Sequence, residues 1–211
     1  MYQKYFDLDK ALLIFIKNPQ LGKAKTRLAA TVGDEKALEI YKHLLAHTRS
    51  VAQSVVSDRH LFYSQFVDQN DSWPSTYFQK HLQDPHPDLG TKMFAAFGYT
   101  LTKNYAKALI IGSDCLELSP EIVESAFSSL QENDLVIGPA KDGGYYSIGF
   151  NFDRIGEASS NLLKAVFLEK TWSHDKVFQE AVESIKPFGL RLKELPLLSD
   201  VDVADDVKHL L

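Results

Sequence analysis

Short apolar runs separated by segments of helical period restrict this chain to the alternating α/β class. Ala11–Ile16 (ALLIFI) reads as a buried strand, and Asp34 to Val56 as a long helix. On that helix Ala37, Leu38, Tyr41, Leu44, Leu45, Thr48, Val51, Ala52 and Val55 form one stripe at three- and four-residue spacing. Arg59–Ser64 reads as a second strand, Thr76–Lys80 as a third, Gly90 to Lys103 as a helix, and Lys107–Ile111 (KALII) as a further strand. Ser119 opens another helix, with Pro120 in the first turn, where its missing N–H costs nothing. Leu135–Ile137 and Tyr145–Phe150 are strand-like, His174 to Ser184 helical, Arg191–Leu195 strand-like and Ala204–Leu211 a terminal helix. Strands alternating with helices imply βαβ units and a mostly parallel sheet. With no repeat, low-complexity tract or flexible linker, residues 1–211 are expected to form a single domain.

Composition narrows the function classes. Its 211 residues are enough to bury a substantial core, and the formal net charge of -5 gives no reason to expect a nucleic-acid partner. The lone cysteine, Cys115, cannot form an intrachain disulfide, which fits a cytoplasmic setting. The start, MYQKYFDLDK, has no targeting pattern, and the first apolar run is too short to span a bilayer, so no integral membrane segment is expected.

In open α/β sheets ligands bind beyond the carboxyl ends of the strands, so the loops after strands hold the candidate chemistry. The first such loop, Lys17 to Arg27 (KNPQLGKAKTR), carries Lys17, Lys23, Lys25 and Arg27 around Gly22. Cationic side chains and backbone donors ahead of a helical pattern suit a polyphosphate; the plain alternative is a solvated basic turn. A P-loop is excluded: it needs glycine at position 17 and Ser or Thr at position 24, which are Lys17 and Ala24. After KALII comes Gly112-Ser113-Asp114-Cys115. A carboxylate at a buried strand's end can hold Mg²⁺ or Mn²⁺, although Asp114 could instead cap the following helix. Cys115 has no base tied to it and reads as a small buried residue.

The third loop is Gly138 to Tyr146 (GPAKDGGYY). Asp142, Gly143, Gly144 and Tyr145 suit a polar substrate lying against backbone, and Asp-Gly is also a hairpin signal; both readings can hold together. In the acidic stretch Asp200 to Asp206, Asp200 and Asp202 alternate and share a face if extended. They complete a metal site with Asp114 or begin a helix, with Asp202 as its cap and Asp205 and Asp206 in its first turn. His43 and His47 lack the intervening glutamate of a zinc protease, Leu44 standing there, and neither G-x-G-x-x-G nor G-x-S-x-G occurs.

Taken in order, KNPQLGKAKTRL, DLGTKM (Asp88–Met93), GSDC, GPAKDGGYYSIG and DVDVADD resemble a bacterial glycosyltransferase family associated with radical-SAM or selenium-domain genes. They run from Lys17 to Asp206 and are also similar to the wider nucleotidylyltransferase group. The resemblance implies a three-layer α/β/α domain of the GT-A, nucleotide-diphospho-sugar transferase fold. It implies phosphate contacts from Gly22, Lys25 and Arg27, Asp114 as principal metal ligand and Asp202 as a second. By it Asp142, Gly143 and Gly144 lie near the transferred group, and Leu89 and Gly90 open a helix lining a base pocket. Where the family pattern has proline after the GTDC motif this chain has Leu116, and where it has Glu-Arg it has Thr91-Lys92.

Two reactions fit: glycosyl transfer from a nucleotide-sugar donor to an unidentified acceptor, and nucleotidyl transfer from a triphosphate. Both call for Mg²⁺ or Mn²⁺, with Lys25, Asp114 and Asp142 as the catalytic candidates. The family favours the first; the density of cations in the first loop leans toward the second. A non-catalytic nucleotide-binding module is the reading from another class.

Overall fold

The computed structural model describes residues 9–168, 170–203 and 206. Strand β1 (Lys10–Ile16) is buried on both sides: Leu12, Ile14 and Ile16 enter one core, Ala11 and Leu13 the other. That is why its sequence is continuously apolar rather than alternating. Helices α1 (Thr26–Val32) and α2 (Asp34–Ser54) carry the chain to β2 (Asp58–Tyr63) and then to the edge strand β3 (Gln79–Leu82). Helix α3 (Leu89–Thr102) returns it to β4 (Lys107–Ile111), on the opposite flank of β1. There follow α4 (Pro120–Ser129), β5 (Leu135–Pro139), β6 (Tyr145–Asn151), α5 (Phe152–Ile155), α6 (Ser159–Phe167), α7 (Val177–Ile185) and β7 (Leu192–Glu194).

The strands form one seven-stranded sheet in the order β3-β2-β1-β4-β6-β5-β7. Only β6 runs against its neighbours, pairing antiparallel with β4 and β5, so the sheet is mostly parallel as expected. Leu28, Leu44 and Phe127 bring α1, α2 and α4 onto one face. Phe97, Phe167 and Ile185 bring α3, α6 and α7 onto the other, completing three layers. The chain therefore leaves β1 over one face and reaches β4 from the other. The strand order reverses between them, which opens a crevice at their carboxyl ends.

Local chemistry explains most boundaries. Asp88 caps α3, its Oδ2 accepting from Thr91 N at 2.7 Å, and Ser119 caps α4 by accepting from Ile122 N at 3.4 Å, with Pro120 in the first turn. Three expectations shift. The third strand forms at Gln79–Leu82 rather than Thr76–Lys80, because the backbone of Tyr77 and Phe78 is tied in a turn to Pro74 O. The helix expected from His174 starts at Val177: Ser173 has φ 68°, and His174 Nδ1 accepts from Lys176 N at 3.2 Å, holding those residues in a turn. Helix α6 is an addition; its burying residues Leu162, Leu163, Val166 and Phe167 have helical spacing, but the helix is only nine residues long and follows Gly156. The terminal helix expected at 204–211 lies outside the described residues, apart from Asp206. No described helix is long and apolar enough to cross a membrane.

A buried hydrogen-bond chain crosses the α3 face of the sheet. The Tyr105 hydroxyl donates to Asp58 Oδ2 at 2.8 Å, so its oxygen accepts from His60 Nε2 at 3.1 Å. His60 Nδ1 is then left to accept from His81 Nε2 at 3.0 Å, and the donors all run one way. Burial, then the neighbouring His81 and Lys103, push the His60 pKa down to about 3.

Candidate functional site

The crevice between β1 and β4 gathers the first two loops. Beyond β1 the backbone is held by Tyr41 of α2, whose hydroxyl accepts from Lys17 N at 2.9 Å and donates to Lys17 O at 3.0 Å. The same hydroxyl lies 3.3 Å from Ser113 Oγ in the loop after β4, so one buried phenol ties both loops together. Burial raises its pKa above the usual phenol range, keeping it protonated. Asn18 is buried beside it. Its Oδ1 accepts from Gln65 N at 3.0 Å and its Nδ2 donates to Phe66 O at 2.8 Å, fastening the segment after β2 to the same place.

Lys25 stands at the head of α1 in the left-handed region, with φ 52° and ψ 46°. Its side chain is only 6% exposed, and its ammonium lies 3.0 Å from Asp114 Oδ1 and 3.1 Å from Asp202 Oδ1. Arg27, 72% exposed, takes the other oxygen of Asp202 at 2.6 Å. The structure thus joins Lys25, Arg27, Asp114 and Asp202, the last separated from Lys25 by 177 positions. Lys17, Gly22 and Lys23 are exposed on the same loop, and Gly22 adopts φ 69°. Asp114 does not cap α4; Ser119 does. Among the described residues the Asp202 carboxylate meets Lys25 and Arg27, and the helix it was expected to cap lies outside them. Asp206 Oδ2 accepts from Asp202 N and Val203 N, at 2.8 and 2.9 Å. Asp205 lies outside the described residues.

The late segment that carries Asp202 is threaded between the other two loops. Leu198 N donates to Pro139 O at 3.2 Å, Lys141 N to Leu198 O at 2.9 Å, and Val201 N to Asp114 O at 2.8 Å. Asp200 is thereby brought into the field of Asp114 and Asp142. Burial first, then the charges of Asp114 and Asp142, push its carboxyl up to about 7, with Lys25 acting the other way. Around Asp200 three carboxylates, those of Asp114, Asp142 and Asp202, act against the one ammonium of Lys25.

Lys141 to Gly144 form the turn of the β5–β6 hairpin. Asp142 Oδ1 accepts from Gly144 N at 2.9 Å, and Gly143 N donates to Ala140 O at 3.0 Å, so the hairpin reading holds while Asp142 and Lys141 stay exposed. The strand pairing is irregular at Gly138 and Pro139, and the consecutive tyrosines of β6 go to opposite faces: Tyr146 into the α2 core, Tyr145 toward Trp172. The Tyr145 hydroxyl and Trp172 Nε1 are both buried with no hydrogen-bond partner among the described residues.

The segment 170–176, whose first four residues carry no expected element, packs on two of the glycine motifs. A Cβ on Gly143, at φ 90°, would lie 2.0 Å from Asp175 O. A Cβ on Gly90 would lie 1.9 Å from Phe167 O and 2.7 Å from the Trp172 ring. Gly90 therefore gives α3 close contact with this segment, and Leu89 beside it remains 43% exposed. Trp172 was the available signal: a large aromatic in a polar stretch, between runs of no clear period. Cys115 is buried, and burial pushes its thiol up to about 12, which leaves it inert as a nucleophile. His47 Nε2 donates to Leu118 O at 2.8 Å and His43 is exposed, so neither is placed as a ligand.

Comparisons with known proteins converge on this architecture. Residues 46–174 match the family described as "Uncharacterized protein conserved in bacteria (DUF2064)". No curated protein matches the chain. Among solved structures, a "putative nucleotide-diphospho-sugar transferase" from Desulfovibrio desulfuricans G20 is 32% identical, with TM-score 0.84 over 96% of this chain and 86% of that one. The 4-diphosphocytidyl-2C-methyl-D-erythritol synthase of Anaerococcus prevotii shares the fold at TM-score 0.58 and 12% identity, covering 95% of each chain. So does Rv0371c of Mycobacterium tuberculosis, solved with manganese, at TM-score 0.54 and 13% identity over 96% of this chain and 97% of that one. With the strand reversal at β1 and β4 and the family match along its centre, the chain belongs to the DUF2064 family and has the nucleotide-diphospho-sugar transferase fold.

Proposed function

We propose that the protein is a metal-assisted transferase acting on a nucleotide-activated donor, with glycosyl transfer from a nucleotide-diphospho-sugar as its reaction. One observation carries the reading. At the switch point of the sheet, the cationic loop after β1 is ion-paired to Asp114 after β4 and to Asp202. This is the combination a diphosphate and a hard cation require. The relative at 32% identity, described as a transferase of nucleotide-diphospho-sugars, supports it, as does the manganese found with a protein of the same fold.

The donor set suits a divalent cation held jointly with substrate. Among the described residues no three His, Cys, Asp or Glu side chains gather to hold a metal unaided. Asp114 and Asp202 nonetheless share one cation already, the Lys25 ammonium. Mg²⁺ and Mn²⁺ sites of this kind use one or two carboxylates and complete their shell with phosphate oxygens and water. Bound there, such an ion would neutralise charge developing on the leaving phosphate. The chain's own part is to hold and orient. Lys17, Lys23, Lys25 and Arg27 face the phosphates, Tyr41 and Asn18 keep the loops in register, and Asp142 with Gly143, Gly144 and Tyr145 borders the transferred group. Leu89 and Gly90, at the head of α3, border the nucleoside side.

Nucleotidyl transfer is the second reading, favoured by the exposed Lys17, Lys23 and Arg27 on the same loop, which provide charge for a third phosphate. A thermal-shift panel of triphosphates, diphosphates and nucleotide sugars, each with and without Mg²⁺ or Mn²⁺, separates the two. A ligand at a hundred times its dissociation constant adds about 2.7 kcal/mol, at roughly 2–4 °C per kcal/mol for a domain of this size. Metal-dependent stabilisation by a nucleotide sugar supports glycosyl transfer; stabilisation by one triphosphate alone supports nucleotidyl transfer. No shift with any ligand removes the donor site, and stabilisation without metal-dependent turnover leaves a non-catalytic binding module.

A further inference from the structure

We propose that the Lys25 ammonium is a built-in placeholder for the divalent cation, holding Asp114 and Asp202 together until the metal displaces it and the freed side chain turns to the donor's phosphates. The inference rests on the reading of Asp114 and Asp202 as cation ligands, and adds an order of events to it.

The geometry argues for exchange rather than coexistence. Lys25 issues from a surface loop, yet its side chain is 6% exposed and its ammonium contacts both carboxylates, at 3.0 and 3.1 Å. A buried ammonium is stable only while its charge is matched, and these two contacts match it. A divalent ion bound to the same oxygens, at about 2.0–2.1 Å for Mg²⁺, would fill the space where the ammonium now lies. Two cations that close repel strongly, so either the lysine or the metal holds the site. Arg27 does not compete in the same way, because it is 72% exposed and takes the outer oxygen of Asp202.

Two consequences follow. Metal alone must displace a cation already in place, so its affinity for the free protein is low. A diphosphate gives the displaced ammonium a new anionic partner, so metal and donor each strengthen the binding of the other. Lys25 is in this way both a guard against premature metal binding and a reporter of it.

Mn²⁺ titration followed by electron paramagnetic resonance tests this on the full chain, with no nucleotide present. The proteins are the wild type, Lys25→Met and the double variant Lys25→Met/Asp114→Asn. Loss of the competing charge should tighten Mn²⁺ binding at least tenfold in Lys25→Met, and the gain should vanish in the double variant. Equal or weaker binding by Lys25→Met, against measurable binding by the wild type, overturns the placeholder while leaving the metal site intact. Absence of Mn²⁺ binding in both wild type and Lys25→Met overturns the metal site and the placeholder with it. A measurement on the wild type alone guards against a variant that fails to fold. Amine acylation followed by mass spectrometry should show Lys25 reacting slowly in metal-free protein and several-fold faster with Mn²⁺. An unchanged rate in protein that binds Mn²⁺ overturns the proposal.

Discussion

The hydrogen-bond chain beside β2 and the charged group between β1 and β4 are both polar clusters set against the same sheet. In the first, Tyr105, His60 and His81 pass donors in one direction toward Asp58, and His60 is completely buried. Every link is made within the protein, and the burial of His60 depends on its staying neutral. In the second, Lys25 and Arg27 face Asp114 and Asp202, while burial and the charges of Asp114 and Asp142 raise the Asp200 carboxyl to about 7. Around Asp200 carboxylates outweigh the one ammonium acting on it, and they sit where the strand order reverses. A cluster that closes on itself belongs to the structure; one that ends in surplus charge at a crevice is organised for something that arrives from outside.

Changes that exploit this contrast should act on different observables. The largest effect is expected from Asp114→Asn: turnover should fall on the order of a thousandfold, the scale of losing a principal charge-stabilising group. Its melting temperature should fall by only about 2–4 °C, because Asp202 still pairs the buried Lys25 ammonium and Asp114 itself is half-exposed. Retained turnover would make the two clusters alike in being structural. Tyr105→Phe should do the reverse. Leaving the buried His60 N–H without an acceptor, and removing a donor from Asp58, should cost about 2–3 kcal/mol in denaturant unfolding without altering nucleotide affinity.

The histidine chain should also carry an acid sensitivity. His60 has a folded pKa of about 3, below its ordinary 6.5, so the unfolded chain binds the proton more readily. Its contribution to stability is complete above pH 6.5 and is lost as pH falls from there toward 3. The slope is about 1.4 kcal/mol per pH unit, or about 2 kcal/mol between pH 6.5 and 5. His60→Gln should flatten that slope; an unchanged slope assigns it to other groups. The smallest effect is expected from Asp200→Asn, which removes one charge from the surplus and should raise stability at pH 8 by about 1 kcal/mol. A fall instead would mean that Asp200 is matched by a cation and that the surplus is smaller than the geometry indicates.

Much of the sheet was legible because its strands are buried on both faces. The runs ALLIFI and KALII are continuous apolar segments, and they became the central pair β1 and β4. The capped start of α4 was equally visible at Ser119 and Pro120, whereas the Asp88 cap of α3 emerges only in the structure. Less legible were elements whose form depends on distant contacts. In Thr171 to Lys176 Trp172 alone signals a buried contact, and it does not say that two glycine motifs lie beneath the segment. Asp200 and Asp202 alternate as one extended face in the sequence, but only Asp202 pairs with Lys25 and Arg27, while Asp200 is buried in the field of Asp114 and Asp142. Periodicity describes neighbours along the chain; the partnership of Lys25 with a residue 177 positions later comes from strand order, which no local pattern encodes. Tyr41 fitted its helix stripe as a core residue, and its second role, fastening the loops after β1 and β4, is invisible until those loops are side by side.

The packing of Phe167, Trp172 and Asp175 against Gly90 and Gly143 bears on how such a chain can change over generations. Three stretches far apart in the gene meet with no room for a single added methyl group at either glycine. A substitution in one is tolerated only if another gives way at the same time, so the three must be inherited together. Transplanting the β5–β6 hairpin alone into a related sheet would carry its glycines to a place where nothing calls for them, and would leave behind the segment that fits over them.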